Sequence, residues 1–346
     1  MSSPDPRDDR DDTAGASGRN RNAPRLATFA FVHPIDAARL APFRAALPGV
    51  EFLVAETGRL PAGIERAEAA AIGWDGPPVD DILAAAPRLR WLHQRGAGID
   101  RIATPRLVAS DVVLTNGSGN HATNIAEHVL GLMLAFARRL PVLLRAQQQG
   151  RWQPPESREV FELSGQTLAV VGLGAIGSAL GERAAALGMH VIGVVRHAEG
   201  RAAPAGVERI VGSAALDAVL GVADHVAITL PLTAETRGLF SAARFAAMKP
   251  GAHIYNIGRG AIVDHEALLA ALRSGHLAGA GLDVTDPEPL PADSPLWAEP
   301  GVIVTAHTSG LTPRSLERYL ALLQDNMRRY AAGEPLRNMV DKRLGY

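Results

Sequence analysis

Residues 168–187 constrain the fold of this chain more tightly than any other stretch. They read Leu168-Ala-Val-Val-Gly172-Leu-Gly174-Ala175-Ile176-Gly177-Ser-Ala-Leu-Gly-Glu-Arg-Ala-Ala-Ala-Leu187. An apolar strand enters, a G-x-G-x-x-G turn follows, and an Ala-rich helix leaves. Gly172 serves the tight turn, Gly174 lets a pyrophosphate approach the backbone, and Gly177 lets helix and strand touch. Ala175 and Ile176 open the helix, whose free N–H groups and positive dipole end would face the phosphates. A glycine triplet alone is a weak signal. The strand before it, the helix after it and a further strand at His190–Val194 turn it into a dinucleotide site. At the end of that further strand an acid would accept hydrogen bonds from the ribose hydroxyls of NAD. This chain has Val195-Arg196-His197 there, and a guanidinium suits a 2′-phosphate. NADP(H) is therefore expected to be favoured over NAD(H).

Apolar runs of strand length alternate with Ala/Leu-rich helical stretches from Leu26 onward, the pattern of parallel sheets covered by helices. With 346 residues, two such domains are expected. The first set of strands is read at 27–32, 51–55, 69–74, 90–94 and 112–115, with helices at 36–46 and 79–86. The second set is read at 167–171, 190–194, 208–211, 225–230, 253–256, 279–284 and 302–305, before a final helix at about 313–332. Between the sets a long helix begins near Asn124, the expected N-cap, and stops before Pro141. It is apolar nearly all round, so it must be buried on several sides, between domains or between subunits.

A formal net charge of −1 gives no reason to expect nucleic acid or an anionic membrane as partner. The absence of cysteine excludes disulfides and thiolate chemistry and is compatible with a cytoplasmic protein. No run approaches the about 20 apolar residues of a transmembrane helix. Residues 1–22, rich in Asp, Arg, Gly and Ser without an apolar core, read as a disordered leader and not as a secretory signal. No His or acidic cluster has metal-site spacing, so no metal is assigned.

Three polar residues stand after expected strands of the second set, where open α/β sheets place ligands: Arg259, Glu288 and His307. Singly, each is more simply a surface or loop residue. Their surroundings are specific. MKPGAHIYNIGRGAIVDHEALLAAL, AGAGLDVTDPEP and VIVTAHTSG, with GAGID at 96–100, NIAEHVLGLMLAFARRLP at 124–141 and LPLTAETRGLF at 230–240, resemble the signature blocks of the D-isomer-specific 2-hydroxyacid dehydrogenase family. The resemblance runs from about Leu26 to Tyr346 and is nearest to its glyoxylate/hydroxypyruvate reductase-like branch, where basic residues occur at the position of Arg196.

The resemblance implies two doubly wound parallel-sheet α/β domains. One is a Rossmann coenzyme domain over 122–311. The other is a smaller flavodoxin-like substrate domain over 23–121 and 312–346, with hinges near 119–122 and 309–312. It implies a hydride transfer between NAD(P)H and a small 2-oxo acid, yielding a D-2-hydroxy acid. Reduction leaves charge on the carbonyl oxygen, so a donor with a pKa of roughly 7 is required. By the resemblance that donor is His307, oriented and kept charged by Glu288. Arg259 would bind the substrate carboxylate and polarise the carbonyl, and the backbone N–H groups of Ala97 and Gly98 would clamp the same carboxylate. Asp283 would bond the nicotinamide carboxamide, and Leu230, Pro231, Thr236, Ile257 and Gly258 would line the coenzyme cleft beside Arg259 and His307. Asp264 and Asp100 are read as a helix cap and a loop residue. Arg95 is read as solvent-facing, with a share in binding an anionic substrate as the alternative. A homodimer built on the 124–140 helix and the arm around Trp152 is expected. Two rival functions stay open: a coenzyme-sensing, non-catalytic corepressor-like protein, and phosphoglycerate dehydrogenase.

Overall fold

The computed structural model describes residues 26–73 and 75–345; the expected leader lies outside the described residues, as does Trp74 at the end of one expected strand. A parallel sheet is built from β1 (Thr28–Val32), β2 (Glu51–Val54), β3 (Ala69–Ile72), β4 (Trp91–Gln94) and β5 (Val113–Asn116). Helices α1 (Ala37–Ala46), α2 (Val79–Ala85) and α3 (Pro105–Ala109) make the crossovers. Its order, β2-β1-β3-β4-β5, is the flavodoxin-like one. β1, β3 and β4 are buried throughout, as expected of parallel strands covered on both faces. Asp36 caps α1 by accepting from the Arg39 amide at 2.8 Å, which fixes where that helix starts.

Two helices follow, α4 (Ala122–Ala137) and α5 (Leu140–Gln148). Both depart from the sequence reading. α4 begins two residues before Asn124, so Asn124 is not its cap; the side chain instead donates from Nδ2 to the Ser309 carbonyl at 2.6 Å. Pro141 does not end the helical region. It sits in the first turn of α5, where a missing N–H costs nothing, and Arg139 in the left-handed region turns the chain between the two helices.

The second sheet comprises β6 (Thr167–Val171), α6 (Ala175–Ala186), β7 (His190–Val195), β8 (Arg209–Gly212), α7 (Leu216–Leu220), β9 (His225–Ile228), α8 (Ala242–Ala247), β10 (Ala252–Asn256), α9 (His265–Arg273), β11 (Leu277–Leu282) and β12 (Val302–Val304). All seven strands are parallel, in the order β12-β11-β10-β9-β6-β7-β8. Read from β6, this is the Rossmann order, with the direction of winding reversing between β6 and β9. α4 lies on one face: Leu132 and Phe136 fill the space left by Gly281 and Gly279 of β11. The chain ends on α10 (Arg314–Ala332), which returns to the first sheet. There Tyr319, Leu323 and Met327 pack with Phe29, Phe31 and Trp91 in one buried cluster. Among the described residues no helix is long and apolar enough to cross a membrane.

Candidate active site

The carboxyl ends of both sheets supply the polar groups. At the winding reversal, Gly172 follows β6 with φ +105°, a conformation that side chains resist. The Thr229 hydroxyl, just after β9, donates to the Gly172 carbonyl at 2.5 Å and ties the two strand ends together. A Cβ on Gly177 would overlap that same carbonyl, so only glycine lets α6 begin this close to β6. Gly174, the N-cap of α6, faces open space: a Cβ there would meet nothing within 4 Å. A tight cradle with an open mouth and the free amides of Ala175 and Ile176 is what a pyrophosphate needs, and these residues fit a dinucleotide.

The remaining expected cleft residues gather around this turn. Gly258 packs on the Leu230 carbonyl, 2.6 Å from where a Cβ would stand, and joins the loops after β10 and β9. Ile257 is buried behind it. Beyond Leu230, Thr236 donates to the Pro231 carbonyl at 2.7 Å and accepts from the Thr233 amide at 2.8 Å, closing the loop over the cleft edge. Arg196, at the end of β7, is engaged by Glu235 of that loop, Nη2 to Oε2 at 2.9 Å. Sequence reading missed this pairing. It also missed Arg201, whose Nη2 reaches back to the Leu173 carbonyl inside the glycine turn at 2.6 Å.

Arg259 extends from the end of β10, where buried Asn256 donates to its carbonyl at 2.9 Å. Its guanidinium crosses to the loop after β4. Nε and Nη2 both donate to Asp100 Oδ1, at 3.2 and 2.9 Å, and Nη1 donates to the Gly258 carbonyl at 2.8 Å. Gly98 lies directly beneath it, and a Cβ on Gly98 would overlap Nη2. Asp100 is thus more than a loop residue, which corrects the sequence reading. Burial works to raise its pKa, but the hydrogen bonds and charge of Arg259 hold the carboxyl below the usual range. Next to this pair, the amides of Ala97 and Gly98 have no acceptor among the described residues. Asn116 holds the loop by donating to the Ala97 carbonyl at 2.6 Å.

Glu288 and His307 meet: Nδ1 lies 3.0 Å from Oε2, while Oε1 accepts from the Thr285 amide at 3.2 Å. Gly260 abuts the Thr285 backbone, with no room for a Cβ, so the Arg259 and Glu288 loops touch. His307 adopts φ +53° after β12, and its amide donates to the Asp283 carbonyl at 2.8 Å. The Asp283 side chain, expected at the nicotinamide, is enclosed beneath this loop. Oδ1 accepts from the Thr305 hydroxyl (2.6 Å) and the Thr308 amide (2.9 Å), and Ser309 N–H is shared by both oxygens at 3.2 Å. Its carboxylate therefore sets the His307 loop, and Oδ2, which takes only a share of the Ser309 N–H among the described residues, is the less used oxygen. His128 of α4 backs the arrangement through Thr305 Oγ1 at 3.0 Å. Asp264 is a cap as expected, accepting from the amides of Glu266 and Ala267.

Comparison with known proteins places these features in context. Residues 130–309 match the model of the D-isomer specific 2-hydroxyacid dehydrogenase, NAD binding domain. The chain is 36% identical over 255 residues to a D-3-phosphoglycerate dehydrogenase of Mycobacterium bovis, covering 73% of this chain but 47% of that protein, so it spans about half the length of this relative. It is 35% identical over 302 residues to glyoxylate/hydroxypyruvate reductase B of Pectobacterium atrosepticum, covering 85% and 92%. A D-isomer specific 2-hydroxyacid dehydrogenase from Xanthobacter autotrophicus Py2, solved with NADPH and MES, superposes with a TM-score of 0.79 at 35% identity, covering 93% and 100%.

Proposed function

The chain belongs to the D-isomer-specific 2-hydroxyacid dehydrogenase family, and from that premise we propose that it is a reductase of small 2-oxo acids, of the glyoxylate/hydroxypyruvate type, releasing D-2-hydroxy acids. The observation that carries this is the pair of unpartnered amides at Ala97 and Gly98 beside the Arg259 guanidinium, one strand away from the Glu288–His307 couple. Two amides and a planar cation make a clamp for a carboxylate. Arg259 keeps N–H donors on Nη1 and Nη2 beyond those given to Asp100 and Gly258, and these polarise the adjacent carbonyl. The reduced nicotinamide, when bound, supplies the hydride. His307, with Nδ1 engaged by Glu288, has Nε2 to hand a proton to the carbonyl oxygen as charge develops there. Glu288 fixes the ring, and Asp283 fixes the loop that carries it. Closure of the substrate domain, 23–121 with 312–346, onto 122–311 excludes water from the reaction.

NADPH is the coenzyme this reading favours. Arg196 and Arg201 put two cations around the mouth of the glycine turn, and the Xanthobacter relative was solved with NADPH. A 2′-phosphate takes Arg196 from Glu235. A cytoplasmic homodimer belongs to the same proposal; for the dimer, support comes from large apolar side chains exposed along α4, α5 and the arm that follows, Leu134, Leu140, Leu144 and Trp152, the last 98% exposed in the single chain. The Glu288–His307 pair favours an enzyme over a corepressor-like coenzyme sensor.

The test is a steady-state assay of reduced-coenzyme oxidation with glyoxylate, hydroxypyruvate, pyruvate and phosphohydroxypyruvate, using NADPH and NADH in turn. Turnover of about 1–10³ s⁻¹ is expected with a preferred acid. Arg196→Ala is expected to lower kcat/KM for NADPH about 10–100-fold, the worth of a charge-assisted contact, and to leave NADH nearly unchanged. No oxidation with any acid removes the reductase reading; an intrinsic preference for NADH removes the coenzyme assignment alone.

A further inference from the structure

Beside the carboxylate clamp lies a second concentration of positive charge. Arg95 leaves β4 immediately before Gly96-Ala97-Gly98, and its guanidinium carbon rests 5.4 Å from the centre of the Tyr319 ring. That ring is a fixed platform. Its hydroxyl lies 2.9 Å from His33 Nε2, and its other neighbour is His93, stacked at 5.8 Å with an interplanar angle of 24°. His93 is itself anchored through Nδ1 to the Thr115 hydroxyl at 2.7 Å. A cation over an aromatic face keeps its donors pointing outward while losing little freedom.

On the side of the inter-domain connection stands Arg318 of α10. Nη1 donates to the Asn120 carbonyl at 2.9 Å and to Asn124 Oδ1 at 3.3 Å, both neutral acceptors. His121 feels the charge of both arginines and bonds the Gly310 carbonyl through Nδ1 at 2.9 Å; burial first, then the charges of Arg95 and Arg318, lower its pKa. Among the described residues, neither Arg95 nor Arg318 pairs with a carboxylate, whereas Arg39, Arg66 and Arg259 each have one. Two half-buried guanidiniums with no carboxylate partner among the described residues, beside an imidazole whose pKa is lowered, can attract an anion from outside the chain. Gly98 is three positions after Arg95, at most about 10 Å along the backbone, so one small molecule can touch the clamp and this guanidinium together.

We propose that Arg95, reinforced by Arg318, recognises an anionic far end on the substrate, so that the preferred 2-oxo acids carry a second acidic group. This rests on the reductase reading above, keeps its 2-oxo acid chemistry, and replaces the glyoxylate/hydroxypyruvate type by an acid with a second anionic group as the preferred substrate. A substrate such as pyruvate would leave both cations uncompensated.

Two matched pairs of acids test it: oxaloacetate against 2-oxobutanoate for a second carboxylate, and phosphohydroxypyruvate against hydroxypyruvate for a phosphate. The readout is the ratio of kcat/KM, charged over uncharged, within each protein, which cancels any general loss of activity. The intact enzyme is expected to favour the charged member of at least one pair about 10–100-fold, and Arg95→Met to erase most of that preference. Arg95→Lys, which keeps the charge and loses the planar fork, is expected to retain part of it and guards against a folding defect. The pair with the larger ratio identifies the anion. Ratios near one in the intact enzyme, or ratios that Arg95→Met leaves unaltered while uncharged acids still turn over, overturn this proposal alone. Failure to turn over the two charged acids while glyoxylate or pyruvate is reduced likewise overturns this proposal alone; failure with every one of these acids overturns the reductase reading and this proposal with it.

Discussion

Replacing His307 by Asn is expected to lower kcat for 2-oxo acid reduction by about 10²–10⁴-fold, the range by which a positioned acid accelerates a proton transfer. Asparagine is the substitution of choice because residue 307 sits at φ +53°, a region that Asn tolerates and most other side chains resist. The amide still fits the left-handed turn, and the bond from residue 307 N–H to the Asp283 carbonyl survives. What disappears is a side chain able to release a proton. KM should change far less than kcat, because the lost interaction is made only as charge develops on the carbonyl oxygen. Coenzyme binding, followed by fluorescence of the reduced ring, should be unaltered. A variant with kcat within about threefold of the intact enzyme would remove His307 from the chemistry.

The second large effect is expected from the addition of a single methyl group. Gly98→Ala puts a Cβ where Arg259 Nη2 now lies and 2.8 Å from Asp100 Oδ1. The backbone at 98 is not in the left-handed region, so folding should proceed and the melting temperature should stay within a few degrees. The guanidinium must give way. Because a displacement of about 1 Å in a positioned group can cost about 10²-fold, kcat/KM is expected to fall by about 10²–10³-fold. KM should carry much of the loss, since both the guanidinium and the Gly98 amide serve the carboxylate. Comparison with Arg259→Lys separates steric displacement from loss of the planar fork. Full activity in the Gly98→Ala enzyme would mean that Arg259 does not work from the position it holds here.

These two residues also mark how far the sequence could be read. Gly98 and His307 lie in contiguous blocks at strand ends, where a sheet rule places ligands and the resemblance of each block to the family implies the role. The alternation of apolar runs gave both sheets and nearly every strand within a residue or two. Asp100 was passed over because its partner stands 159 positions away, and a loop acid carries no local sign of the guanidinium it will meet. Glu235 escaped for the same reason, since nothing near it points to Arg196. Arg95 resembled a solvent-facing residue until α10 brought Tyr319 beneath it. The long helix does stop before Pro141, at Ala137, but the helix that starts at Leu140 was missed, because proline breaks a helix interior yet is welcome in a first turn. Asp283 shows the converse, a residue whose block was recognised but whose enclosure under the His307 loop only the packing reveals.

The most direct measurement is a crystal structure of the protein with oxidised coenzyme and oxamate, an unreactive stand-in for a 2-oxo acid. The account predicts the oxamate carboxylate within about 2.7–3.2 Å of the Ala97 and Gly98 amides and of Arg259, with its carbonyl oxygen hydrogen-bonded to His307 Nε2. Oxamate bound away from the Ala97–Gly98 loop, or seated there with His307 turned from its carbonyl, would contradict it.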